Sequence, residues 1–209
     1  LMALTTTLMT TPLVARWVQA AGGHVITAPP VIAGGTVYVA TTDLGDGGAG
    51  GVVAIDLATG EARWHAPTAK PVRGGLAVAG DTVTTAEIDG TVVALDAHTG
   101  AVRWTYALST NITPEAGAAF AAPTADGRDI VVGHQRHVAA LSAGTPQWIV
   151  DPVPDGEDSQ SAAALAVGGG LVIGTFNRWL GGVIAWDRAT GQRAWQYQTD
   201  DTVGINSSP

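Results

Sequence analysis

Three sets of residues in this chain are of types that could do chemistry. His134 and His137 in "HQRH" could offer imidazole nitrogens to a transition metal. Along one strand, however, a spacing of three puts them on opposite faces, and no third ligand accompanies them. "DLGDGGAGG", Asp43 to Gly51, carries carboxylates of the kind calcium takes. Calcium wants about six to eight oxygens, and neither the EF-hand spacing nor Gly-Gly-x-Gly-x-Asp is present, so the segment reads as a flexible Gly-rich loop. The third set is dispersed: Arg73, Asn111, Glu115, Asp158, Asn177, Arg178, Trp179 and Asn206. Their charged, amide and indole groups could line one site for a small ligand or a protein surface if the fold brings their loops together. No Gly-x-Ser-x-Gly, phosphate-binding loop or His-Glu-x-x-His occurs, so hydrolase, nucleotide-binding and zincin chemistry have no motif to rest on.

What could bring those loops together is a repeat. Trp17, Trp64, Trp104, Trp148 and Trp195 follow one another at intervals of 47, 40, 44 and 47 residues. A period of that size builds four-stranded propeller blades. Before three of the tryptophans stands nearly one phrase: "DLATGEARW", "DAHTGAVRW" and "DRATGQRAW". Asp accepts hydrogen bonds from backbone N–H groups two residues on, and Gly takes the positive φ that strains other residues. Asp56 with Gly60, Asp96 with Gly100, and Asp187 with Gly191 therefore read as strand reversals. The Trp four residues past each Gly has a large ring to bury, and Ala two before each Asp (Ala54, Ala94, Ala185) leaves room for it between adjacent blades. In the remaining unit, "ALSAGTPQW", Ser142 stands for Asp and two residues are missing, so its turn must differ while Trp148 survives.

Each period also carries an Ala/Pro/Gly-rich stretch and two Val-rich runs, which we read as strands A, B and C ahead of a Trp-bearing strand D. The apolar runs are continuous rather than alternating, as in sheets covered on both faces. The expected fold is all-β, a β-propeller of four-stranded antiparallel blades. Blades are expected at about 28–66, 74–107, 118–150 and 161–198. A D-like strand around Trp17 precedes them, and "INSSP" starts another A-like strand.

Composition agrees with many short strands. Gly numbers 28, charged residues are 13% and Cys is absent, which removes disulfides and thiolate chemistry. Ten Lys and Arg against 18 Asp and Glu give a formal charge of −8, so neither nucleic acid nor an anionic membrane surface is an expected partner. The opening "LMALTTTLMT" lacks a basic region and a cleavage site, and no stretch approaches a membrane span.

"AIDLATGEARW", "ALDAHTGAVRW" and "AWDRATGQRAW" resemble the tryptophan-docking repeat of PQQ-type (quinoprotein-like) β-propellers, Ala-x-Asp-x-x-Thr-Gly-x-x-x-Trp, over roughly residues 13 to 209. The resemblance implies an arc of a seven- or eight-bladed ring, the remainder lying outside this chain, with a compact four-bladed ring as the structural alternative. It places ligands at the mouth where the B–C and D–A loops meet, the third set of residues above. It further implies a non-catalytic binding or scaffold module, for a protein partner or a small ligand, in a periplasmic or extracellular protein. Such modules occur in the outer-membrane assembly lipoprotein of the β-barrel machinery and, appended, in calcineurin-like phosphoesterases. The latter are suggested by "TPLVARWVQAAGGHVITAPPVIAGGTVYVATTD", although no phosphoesterase metal motif lies in this chain. The enzyme alternative is a PQQ-dependent alcohol dehydrogenase with Ca²⁺ beside the quinone. "GTFNRW" is similar to the segment supplying the Asn ligand there, with Phe176 in place of Gly, and the paired cysteines of many such enzymes are missing. No cofactor is therefore expected.

Overall fold

The computed structural model describes residues 14–25, 28–42, 50–108, 121–127, 129–134, 137–151, 162–176 and 182–198. They form four antiparallel four-stranded sheets, with strands paired in chain order, and no helix is present among them. The first sheet comprises β1 (Val31–Ala33), β2 (Thr36–Thr41), β3 (Gly51–Asp56) and β4 (Ala62–Pro67). The second comprises β5 (Val72–Ala79), β6 (Thr82–Glu87), β7 (Thr91–Asp96) and β8 (Val102–Ala107). β9 (Thr124–Asp126), β10 (Asp129–His134), β11 (His137–Ser142) and β12 (Thr145–Val150) make the third, and β13 (Ala162–Gly168), β14 (Leu171–Phe176), β15 (Gly182–Asp187) and β16 (Arg193–Gln198) the fourth. First strands of consecutive sheets touch, β1 with β5, β5 with β9 and β9 with β13, which gives an arc of a β-propeller with those strands innermost.

The Val-rich runs fall on the second and third strands of each sheet, buried on both faces by neighbours. One apolar cluster joins the first two sheets through Tyr38, Val52, Val72 and Leu95. A second joins the middle pair through Val92, Ile130 and Leu141, and a third joins the last pair through Val131, Trp148, Val172 and Trp186. Fourth strands are mostly exposed, as outer edges are. β1 and β9 are only three residues long, while β5 and β13 have eight and seven. Pro29 and Pro30 before β1 and Pro123 before β9 lack the N–H that would extend the ladder.

The repeated turn is built alike in three sheets. Asp56 Oδ1 accepts the N–H groups of Ala58 and Thr59, each at 2.8 Å, and the Gly60 N–H donates to the Asp56 carbonyl at 2.8 Å. Asp96 and Asp187 make the same set. Arg63 and Arg103 each donate to the Asp of their own turn at 2.6 Å. The Arg63 guanidinium holds the Asp56 carboxyl down at about 2, helped by the Thr59 amide. The register of the third and fourth strands shifts just after the Ala at every turn, so each Trp lies directly opposite that Ala: Ala54 with Trp64, Ala94 with Trp104, Ala140 with Trp148, Ala185 with Trp195.

The indoles then reach the next sheet. Trp64 Nε1 donates to the Ala97 carbonyl at 3.0 Å and Trp148 Nε1 to the Arg188 carbonyl at 2.8 Å, the residue after the turn Asp in each case. Their rings lie on the turn glycines: a Cβ on Gly100 or Gly191 would sit 2.7 Å from the ring. Most rings are not fully enclosed, because they cover a turn at the sheet's edge; Trp148 is buried, Trp64 and Trp104 are half-buried, and Trp195, on the last described strand, is 44% exposed. The strand expected around Trp17 is not formed. Residues 14–20 have no described strand to pair with, although Trp17 keeps the docking contact, donating to the Leu57 carbonyl at 3.0 Å over Gly60. "INSSP" lies outside the described residues.

In the third sheet the two missing residues leave a two-residue hairpin, Ser142 pairing Thr145 across Ala143 and Gly144. Both have positive φ, 47° and 82°, as a type I′ turn requires, and Ala143 is the one non-glycine in that region among the described residues. Gly144 still lies under the Trp104 ring. An L-residue without a local side-chain hydrogen bond pays for that conformation, so Ala143→Asn should raise the stability by about 1 kcal/mol, read as a higher denaturant midpoint at unchanged slope.

Candidate functional site

The mouth is the side on which second strands end and third strands begin, opposite the Asp-Thr-Gly turns. Of the eight residues expected there, Arg73 is described: it is half-buried near the start of β5, whose Val72 pairs with Glu87 at the end of β6. Asn111, Glu115, Asp158, Asn177, Arg178, Trp179 and Asn206 lie outside the described residues, as does Asp43 to Ala49 of the Gly-rich loop.

Two mouth residues stand out that sequence reasoning did not select for this position. Glu87 ends a Val/Thr strand and is buried. Its Oε1 accepts the Ala69 N–H at 2.7 Å, tying β6 to the loop between the first and second sheets. Burial pushes the Glu87 carboxyl up, against the opposing pull of the Lys70 and Ala69 amides. Around it, the Thr68 hydroxyl donates to the Lys70 carbonyl at 2.9 Å, and the Ile88 N–H donates to the Pro71 carbonyl at 3.0 Å. A carboxylate at the end of "TVTTAE" was the signal available, since such a residue is seldom buried without amides to meet it.

His134 is the other. His134 and His137 face each other directly as a cross-strand pair on β10 and β11, so they share one face of the sheet. The opposite-face expectation fails because the two lie on either side of a hairpin rather than along one strand. His134 is 1% exposed, and its Nε2 lies 3.1 Å from the Ile88 carbonyl of the second sheet. Its Nδ1 packs against Gly90, where a Cβ would approach to 2.8 Å, which leaves no room for a metal at that nitrogen. Among the described residues no group of three or more His, Asp or Glu is placed to hold a metal ion. Phe176, in the segment compared with the calcium-ligand sequence, is buried against Trp186 with ring centroids 5.9 Å apart. At this rim Glu87, Thr68 and the Nε2 of His134 bond to the loops and turns beside them.

Residues 48–208 match the model of the family described as "Outer membrane protein assembly factor BamB". Among solved structures, the chain is similar to BamB from Moraxella catarrhalis, at 20% identity and a TM-score of 0.60, covering 81% of this chain and 62% of that one. It is also similar to quinohemoprotein alcohol dehydrogenase from Comamonas testosteroni, at 18% identity and a TM-score of 0.68, covering 87% and 36% respectively. A europium-containing methanol dehydrogenase matches at 18% identity and a TM-score of 0.66, covering 85% and 42%. At these identities the likenesses are of fold, and the chain spans less than two thirds of each of these structures. Among curated proteins none matches the chain. No helix among the described residues is long and apolar enough to cross a membrane.

Proposed function

From the premise that the chain belongs to the family described as outer membrane protein assembly factor BamB, we propose that it is a non-catalytic scaffold, a section of propeller whose mouth docks a protein partner. The observation that carries this reading is the family match over residues 48–208, which takes in the second, third and fourth sheets and the last two strands of the first. It is supported by the use made of the buried polar groups at the mouth. Glu87 and Thr68 fix the loops that rise from the rim, so the surface a partner meets is held in shape before binding, which lowers the cost of association. The family's description further supports a place in the bacterial cell envelope and a partner engaged in assembling outer-membrane proteins. The likeness to alcohol dehydrogenases is one of fold and brings no activity with it.

The test is site-specific cross-linking in the cell. Lys70 is exposed on the loop that Glu87 holds, and a photo-cross-linker placed there should trap one defined envelope protein. A cross-linker at exposed Thr105, on the outer edge strand β8, should not. Alcohol-dependent dye reduction by the intact protein after addition of PQQ and Ca²⁺ would overturn the reading in favour of the dehydrogenase.

A further inference from the structure

We propose that His134 is a proton-operated latch between the second and third sheets: with a neutral imidazole it holds the Ile88–Gly90 turn against β10, and on protonation it lets that turn go. The tautomer follows from the partner. A carbonyl oxygen only accepts, so the hydrogen between His134 Nε2 and the Ile88 carbonyl belongs to Nε2, and Nδ1 of the neutral ring is bare. That Nδ1 is buried and meets no acceptor among the described residues. A second proton would create an N–H, and a charge, at a buried atom set against the Gly90 backbone with no acceptor among the described residues. Both costs vanish if the turn moves off and water reaches the ring.

The turn is closed on itself and is also bonded outward, the Ile88 N–H donating to the Pro71 carbonyl and the Leu108 N–H to the Gly90 carbonyl, each at 3.0 Å. The Gly90 N–H donates to the Glu87 carbonyl at 3.0 Å, and the Thr91 N–H to Asp89 Oδ1 at 2.9 Å. Gly90 has φ +84°, and its bare Cα is what lets the imidazole lie flat against it. The latch therefore joins a rigid four-residue turn to the end of a buried strand through one hydrogen bond and one ring face.

The charged and titratable groups around it are few. Asp89 on the turn favours the imidazolium, while His137, opposite on β11, disfavours it. Glu87, two residues back, turns its carboxylate to the Ala69 amide instead. Burial outweighs all of them and sets the His134 imidazole below its usual 6.5. For a group depressed in the folded state, the stabilising contribution is complete above the unfolded value of 6.5. It is lost as pH falls from there toward the folded value.

Hydrogen exchange of the Ile88 and Leu108 amides, whose bonds join the turn to its surroundings, reads the latch directly. Between pH 6.5 and 5 their protection should fall by up to about tenfold per pH unit, while the amides of residues 92–95 in β7 hold theirs. In His134→Gln, whose side-chain amide can still donate to the Ile88 carbonyl but cannot titrate, protection at these amides should be flat over the same range. His137→Gln should keep the wild-type slope. A slope at Ile88 and Leu108 that is unchanged in His134→Gln overturns the proposal. Should that variant not fold, the ¹⁵N shifts of the wild-type ring decide: the Nε2–H tautomer at pH 7 with titration below 6.5 supports the latch. The Nδ1–H tautomer, or titration at 6.5 or above, overturns it.

Discussion

Trp148→Ala is expected to lower the unfolding free energy by about 3–5 kcal/mol, the range for truncating a buried large aromatic to Ala. Trp148 is the most enclosed of the repeat tryptophans, 8% exposed within the cluster that joins the third and fourth sheets, beside Val131, Leu165 and Trp186. Removing it opens a cavity along a seam rather than inside one sheet, so the neighbours can close it only by shifting whole blades. The Arg188 carbonyl also loses its donor, on a residue whose guanidinium reaches back to Asp126 and, at 2.8 Å, to Asp129 of the third sheet. The seam is thus held by an indole from one side and an arginine from the other. Trp195 occupies the same position in the repeat but is 44% exposed. Its replacement by Ala should cost no more than about half as much, because half the ring is already in water. Urea denaturation of both variants makes the comparison; equal losses would show that the seam contact contributes little beyond what the ring does within its own sheet.

The fold was legible because two independent periods coincide in the sequence. Trp every forty-odd residues marks the blades, and continuous Val-rich runs mark strands covered on both faces. Asp56, Asp96 and Asp187 disclosed their turns because capping N–H groups with a carboxylate is local chemistry, readable within four residues. What could not be read was anything fixed by contact between units. That Ala97 and Arg188 supply the acceptors for Trp64 and Trp148 depends on how one sheet lies on the next, and nothing local to either residue type signals it. The same holds for Glu87 and His134, whose roles come from an amide eighteen residues away and a carbonyl forty-six residues away. The shared face of His134 and His137 is hidden for a related reason. Three-residue spacing means opposite faces within a strand but the same face across a two-residue turn, and the sequence "HQRH" does not say which applies. The candidate site was least legible because mouth loops lack periodicity: Arg73 could be located from the strand pattern, while the other residues sit in segments where neither repeat imposes a register.

Gly100→Ala should cost about 2–5 kcal/mol, far more than adding one methyl group ordinarily does. Two effects combine. Gly100 has φ +73°, where an L-residue loses about 1–2 kcal/mol, and a Cβ there would lie 2.7 Å from Trp64 Cε3 and 2.9 Å from Cδ2, adding roughly 1–3 kcal/mol of overpacking. The ring has little freedom to yield. Its Nε1 is bonded to the Ala97 carbonyl, Tyr38 packs against it with centroids 5.9 Å apart, and the Tyr38 hydroxyl donates to the same carbonyl at 3.2 Å. Gly80 separates the two contributions. It also has positive φ, +55°, but nothing lies within 4 Å of where its Cβ would be, so Gly80→Ala should show the conformational cost alone, about 1–2 kcal/mol. The difference between the two variants is then the contact between one blade's indole and the next blade's turn. Removing the ring should erase it: in a Trp64→Ala background, Gly100→Ala should cost no more than Gly80→Ala, a coupling that a double-mutant cycle measures. Should Gly100→Ala stay as costly without the indole as with it, the glycines of the repeated turn would be required for their backbone conformation and not for the closeness of the neighbouring blade.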